Sequence, residues 1–159
     1  MSNIVFIGMP GCGKTTVSRS VALKLGRKWF DSDLEIEQEE CRSIPKIFAS
    51  EGEEYFRVRE TECIKRLMKR KNAVISVGGG AVLYNADALN SATVIYLKRS
   101  VEHILSTLEK GTRPLVTDEQ MLYRLYDERH GIYKRLCDYT IINEDSVQDA
   151  VNRVLEVLQ

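Results

Sequence analysis

No two cysteines in this chain stand at the C-x-x-C spacing of a zinc or redox site; the four are Cys12, Cys41, Cys63 and Cys137. They read as reduced thiols of a cytosolic protein rather than as disulfides or metal ligands. Neither sign of charge dominates. Lys plus Arg and Asp plus Glu both total 23, giving a formal net charge of zero. With no basic run either, a nucleic-acid backbone is not an expected partner. No apolar segment approaches the roughly 20 residues of a membrane span. The N-terminal apolar run is short, lacks a basic flank and already reads as a strand, so no signal peptide is expected. The two histidines, His103 and His130, are isolated in sequence and are assigned to the surface or to caps. A length of 159 residues suits one domain with a sizeable core.

What is present is concentrated at the start. Ile4-Val5-Phe6-Ile7 reads as a buried strand and runs straight into Gly8-Met9-Pro10-Gly11-Cys12-Gly13-Lys14-Thr15. That run matches G-x-x-x-x-G-K-[ST], the phosphate-cradling P-loop. Its glycines let backbone N–H groups turn inward around phosphate oxygens. The helix opening near Lys14 aims its positive dipole end at the same anion. Lys14 would reach the β- and γ-phosphates of a nucleotide, and the Thr15 hydroxyl would ligate Mg²⁺. Cys12 stands inside this loop, where a helix N-terminus can lower a thiol pKa. The plainer alternative is a small residue that fits the loop.

Strand and helix patterns alternate throughout, without repeat or linker, which argues for an α/β fold with a parallel sheet. Strands are expected at Ile4–Ile7, Lys28–Asp31, Ala73–Val77, Thr93–Leu97 and Tyr139–Ile142. Helical stretches are expected near 14–25, 33–70, 85–90, 101–110, 119–136 and 146–158. The second is broken at Ser43-Ile44-Pro45 and at Glu51-Gly52. Ser50 with Glu53, and Thr117 with Gln120, read as capping boxes. Ligands of such sheets bind beyond the carboxyl ends of the strands. The P-loop, Asp31 and Gly78 all follow strand ends and should share one edge.

Further residues gather there. If the chain stays extended after the second strand, Asp31 and Asp33 in Asp31-Ser32-Asp33 point to the same side. One carboxylate could then hold Mg²⁺ beside phosphate. The other could accept a substrate hydroxyl proton. A pair of helix-capping aspartates is the alternative. Glu60 falls on the apolar stripe Phe56, Cys63, Ile64 and Leu67, with Arg57 three residues earlier. A charge on an inward face needs a partner or a ligand. Arg57 held by Glu60 would make a carboxylate clamp, and an ordinary surface pair is the alternative. Arg129 sits within the stripe Leu122, Leu125, Tyr126, Tyr133 and Leu136. Inward arginines suggest an anionic substrate besides ATP, with snorkelling as the alternative. Gly78-Gly79-Gly80 directly follows a strand and permits close approach of a ligand. Lys110-Gly111-Thr112-Arg113-Pro114-Leu115-Val116 reads as a polar loop that could close over phosphates as a lid.

Taken together and in this order, these segments resemble the shikimate kinases, within the nucleoside-monophosphate-kinase-like P-loop family. The resemblance rests on Gly8–Thr16, Asp31-Ser32-Asp33, Phe56-Arg57 with Glu60, Gly78–Gly80, Arg113-Pro114-Leu115, and Glu128-Arg129 with Tyr133. It covers nearly the whole chain. It implies a three-layer P-loop kinase fold in a single domain, residues 1–159. The five-stranded parallel sheet would run in the order 2-3-1-4-5, with helices on both faces. It also implies substrate-binding helices at about 33–70 and a mobile lid at about 108–119. The implied reaction moves the γ-phosphoryl of ATP to the 3-hydroxyl of shikimate in a monomeric cytoplasmic enzyme, with Mg²⁺ as cofactor. By the same resemblance Gly11, Cys12, Gly13, Lys14, Thr15, Thr16 and Arg113 bind ATP, and Thr15 and Asp31 hold the metal. Asp33, Arg57, Gly78, Gly79, Gly80 and Arg129 bind shikimate, with Glu60 in support. Lys14, Asp33 and Arg113 would carry the chemistry. The family's lids often place another arginine where this chain has Ser106, and a proline after the Arg129 position is replaced here. The loop near Asn143–Val147 carries no recognisable signature.

Two other functions are compatible with the P-loop alone. Another small-molecule kinase, such as a gluconate kinase, shares fold and P-loop but not the aspartate–arginine–glycine set. A catalytically idle nucleotide-binding module would bind ATP without turning an acceptor over.

Overall fold

The structure is a computed structural model and describes residues 2–107 and 119–159. Its strands are β1 (Ile4–Ile7), β2 (Trp29–Asp31), β3 (Val74–Ser76), β4 (Thr93–Lys98) and β5 (Tyr139–Ile142). All pair in parallel, in the order β2-β3-β1-β4-β5. The first strands lack polar alternation because parallel strands are covered on both faces; β1 and β3 are buried at every position.

The helices are α1 (Lys14–Leu25), α2 (Ser32–Glu40), α3 (Ile44–Glu51), α4 (Glu53–Met68), α5 (Ala86–Leu89), α6 (Val101–Thr107), α7 (Glu119–Leu136) and α8 (Val147–Val157). Right-handed crossovers place α1 on one face of the sheet and the β2–β5 connections on the other. Helix α8 returns to pack on α1. None of the described helices is long and apolar enough to cross a membrane.

Register sets the site. Asp31, Ser76, Phe6, Ile95 and Tyr139 lie in one row across the sheet. The P-loop, Asp33 and Gly78 each begin two residues or less beyond that row. All three therefore reach the same carboxyl edge, as the alternation of elements predicts.

Three local expectations are corrected. The chain does not stay extended after β2: Asp31 has φ −130° and ψ 122°, but Ser32 already opens α2. Asp33 thus lies in the first helical turn. The Ser50–Glu53 capping box does not form. Helix α3 runs on through Ser50, whose hydroxyl donates to the Lys46 carbonyl, and Gly52 at φ 88° turns the chain into α4. His130 is half-buried and makes ring contacts rather than a cap. It stacks on Tyr126 at 4.6 Å and its Nδ1 lies 3.0 Å from the Tyr96 hydroxyl. The Thr117 capping box falls outside the described residues.

Candidate active site

The phosphate loop is shaped by backbone. Gly11 and Gly13 have φ 79° and 96°, in the left-handed region where a side chain is strained. Gly13 caps α1 without any side-chain bond, which leaves the first N–H groups of that helix open to an anion. Lys14 is buried, and its Nζ donates to the carbonyls of Gly8 at 2.7 Å and Met9 at 3.0 Å. Thr15 and Thr16 face solvent at the helix start. Cys12 is fully buried, its sulfur 3.8 Å from Lys14 Nζ, so its structural part is to fill the loop.

Asp31 caps a helix and faces the P-loop at once. Its Oδ1 accepts from the Leu34 N–H at 3.0 Å and caps α2, while its Oδ2 accepts from the Thr15 hydroxyl at 3.1 Å. A hydroxyl and a carboxylate oxygen thus lie side by side at the mouth of the P-loop. This all-oxygen pair is what a hard cation shared with phosphate requires. No cluster of three acidic, histidine or cysteine ligands occurs among the described residues.

The acceptor side is built from charged side chains brought under cover. Glu60 of α4 is 1% exposed and holds Arg57 Nη1 at 2.7 Å. The same guanidinium sits 3.6 Å from Glu53 and lies over the rings of Phe56 and Tyr84. The buried Nε atoms of Arg57 and Arg129 have no hydrogen-bond partner among the described residues. Burial raises the pKa of Glu60, against the opposing charges of Arg57 and then Arg129. Both arginines therefore act on one carboxylate from different helices.

Asp33 is pushed up to about 7. Burial is the largest cause, followed by the neighbouring carboxylates of Asp31 and Glu60; Lys14 pulls the other way. An aspartate poised near neutrality can take a proton at physiological pH.

The glycine triplet is crowded at every position. A Cβ at Gly78 would stand 2.8 Å from Asp33 Oδ1, one at Gly79 2.8 Å from Pro10, and one at Gly80 2.5 Å from Arg57 Nη2. The absent side chains are what allow the P-loop, Asp33 and Arg57 to converge on this turn.

The pattern of residues around this edge matches one family. A family model described as shikimate kinase matches residues 10–159. A shikimate kinase from Burkholderia lata is 43% identical, covering 99% of this chain and 90% of its own length. One from Clostridium botulinum is 37% identical over 99% of this chain and 98% of its own. The chain belongs to the shikimate kinase family. The solved shikimate kinase from Acinetobacter baumannii, in complex with shikimate, superposes with a TM-score of 0.93 at 38% identity, covering 99% of this chain and 93% of that one. A deoxyadenosine kinase from M. mycoides, at 20% identity and a TM-score of 0.64, shares the fold.

Within the shikimate kinase frame, the structure brings together the residues singled out on the P-loop, Asp31, Asp33, Arg57, Glu60 and Gly78–Gly80. Helix α7 carries Arg129 to their side. Arg113, expected on a lid, lies with Lys110 and the rest of the segment at about 108–119 outside the described residues, save Glu119, which opens α7. Ser106 ends in a hydrogen bond to the His103 carbonyl at 2.8 Å.

The contacts of three residues escape the sequence reading. Asn143, beyond β5, is 3% exposed; its Nδ2 donates to the Cys12 carbonyl at 2.8 Å and would meet a Cβ at Gly13 at 2.6 Å. Ser32 is fully buried and accepts from the Gly78 N–H at 3.2 Å, tying α2 to the triplet. Tyr133 is fully buried and donates to the Gly79 carbonyl at 2.6 Å. Their signal was available only in part: a serine between two site aspartates, and a tyrosine one helical turn from a site arginine. Asn143 stands 131 residues from its partner, with no motif to connect them.

Proposed function

We propose that this chain transfers the γ-phosphoryl group of ATP to the 3-hydroxyl of shikimate, giving ADP and shikimate 3-phosphate. The observation that carries the reading is one shared edge: the P-loop and a set of half-buried Asp33 and Arg57 with buried Glu60 meet at Gly78–Gly80 in a chain of this family. Shikimate is an anion with hydroxyls, and that set offers cations for a carboxylate and a raised-pKa acid for a hydroxyl.

In this reading the P-loop N–H groups and Lys14 hold the β- and γ-phosphates and offset charge that builds on the transferring group. Arg57, braced by Glu60, and Arg129 bind the shikimate carboxylate. That places the 3-hydroxyl against Asp33. Its oxygen forms the new bond to the γ-phosphorus as the bond to the β,γ-bridging oxygen breaks, and its proton passes to Asp33. Thr15 and Asp31 would hold Mg²⁺, which supplies charge neutralisation to the phosphates when bound. Mostly this is catalysis by positioning, since phosphoryl transfer needs little covalent help from the protein. Arg113 enters the proposal by resemblance alone. The helices spanning about 33–70 serve as the acceptor-binding part of a single domain. The enzyme works as a monomer on small molecules, and its four free thiols suit the reducing cytoplasm.

Coupled ADP release, measured with and without shikimate and with gluconate as a rival acceptor, tests the proposal. ADP release that depends on shikimate supports it. Release driven by gluconate instead, or none with either acceptor while ATP binds, contradicts it.

A further inference from the structure

Tyr133 has a place in the site that its chemistry alone would not assign. It is fully buried on α7, one helical turn beyond Arg129, and its ring packs on Tyr96 with centroids 5.0 Å apart. Its hydroxyl donates to the Gly79 carbonyl at 2.6 Å. Burial raises the pKa of this phenol, and the nearby positive charge of Arg129 works against that rise. One phenol therefore holds the glycine turn and lies within the field of a site arginine.

The Gly79 carbonyl and the Gly80 N–H belong to the same planar trans peptide and point in opposite directions. Holding the carbonyl toward α7 therefore holds the N–H away from it. Gly80 is buried, and no described residue accepts a hydrogen bond from its N–H. A buried donor without a partner is costly. Its neighbour is the Arg57 guanidinium, pressed against the position a side chain would take. Without a Cβ, the Gly79–Gly80 peptide is also free to rotate to other orientations.

We infer that Tyr133 is a positioning residue for the acceptor: its hydroxyl fixes the Gly79–Gly80 peptide so that the Gly80 N–H stays aimed at a polar oxygen of the bound substrate. The inference rests on the shikimate reading above, and it adds a donor whose direction is set from a different helix. Through Tyr133, α7 delivers Arg129 and locks the turn together.

Tyr133→Phe keeps the ring and deletes one hydroxyl. Steady-state kinetics should show the KM for shikimate rising about tenfold, the size of one lost hydrogen bond, while the KM for ATP stays within about twofold. Tyr96→Phe removes a neighbouring hydroxyl that meets His130 instead of the glycines, and should leave both KM values in place. A purely structural role would lower the melting temperature of Tyr133→Phe without raising the shikimate KM. An unchanged shikimate KM, or equal rises in both KM values, overturns the inference. Amide NMR of the wild-type protein tests it independently of whether the variant folds. The Gly80 N–H signal should shift and gain exchange protection on shikimate addition, and an unperturbed Gly80 at saturating shikimate overturns it. If wild-type enzyme releases no ADP in response to shikimate, the functional reading fails and takes the inference with it. If wild type turns over and Tyr133→Phe matches it, the inference fails alone.

Discussion

The two halves of the site use different materials. Around the phosphates, one run of consecutive residues bends backbone N–H groups and a helix end toward an anion, with Lys14 folded onto its own loop. Around the acceptor, side chains from α2, α4 and α7 and a turn after β3 converge from positions up to 100 residues apart, as Asp33 and Tyr133 are. Most of their charges are partly or fully withdrawn from water. A backbone cradle serves any phosphate, whereas a set of buried charges suits one arrangement of carboxylate and hydroxyl. In the proposed reading the common half holds the phosphoryl donor, and the particular half chooses the acceptor and takes its proton.

Breaking one half should leave the other measurable. The largest effect is expected at Asp33. Asp33→Asn keeps the shape and removes the proton acceptor, so turnover should fall by roughly 10²–10⁴ while Mg·ATP still binds. In wild type, kcat/KM for shikimate should rise with pH through about 7, as Asp33 ionises, and a pH–rate profile checks this. The stability consequence has the opposite direction. A folded-state pKa raised above 3.8 means that Asp33 stabilises the fold below that value, and that this stability is lost as pH rises towards about 7. Thermal unfolding at pH 8 should therefore show Asp33→Asn more stable than wild type; a less stable variant would contradict the burial of that charge.

Lys14→Ala should lower the rate by roughly 10²–10³, the range for one lost donor to developing negative charge. Rate constants within tenfold of wild type would remove Lys14 from the phosphates. Arg57→Ala should weaken shikimate binding by roughly 2–5 kcal/mol, the cost of truncating one member of a buried charge pair, and leave ATP binding intact. The smallest effect should fall on the phosphate side. Asn143→Ala removes the bond to the Cys12 carbonyl and should weaken ATP binding about tenfold, with shikimate binding unchanged. Calorimetry with each ligand separates these outcomes.

The same contrast explains what could be read from the amino acids. The P-loop is legible because its backbone geometry is written in consecutive glycines, and β1 because both its faces are covered. Glu60 and Arg129 are legible because a charge breaks an apolar stripe at helical spacing. Asp33 reaches the edge by a route its spacing does not reveal: a capped helix, not an extended strand, carries it there. The spacing of Ser50 and Glu53 imitated a cap because local patterns do not reveal that α3 continues through Ser50. Asn143 and the Tyr133–Gly79 bond were hidden because each pairs a side chain with a distant carbonyl, and a carbonyl has no letter in the sequence.

Titration of shikimate into Lys14→Ala and into Arg57→Ala tests the division between the halves most directly. The account predicts that Lys14→Ala binds shikimate within about threefold of wild type, since the hydrogen bonds of Lys14 stay within the P-loop, and that Arg57→Ala gives no binding heat at the same concentrations. Loss of shikimate binding in both variants, or wild-type binding in Arg57→Ala, would contradict it.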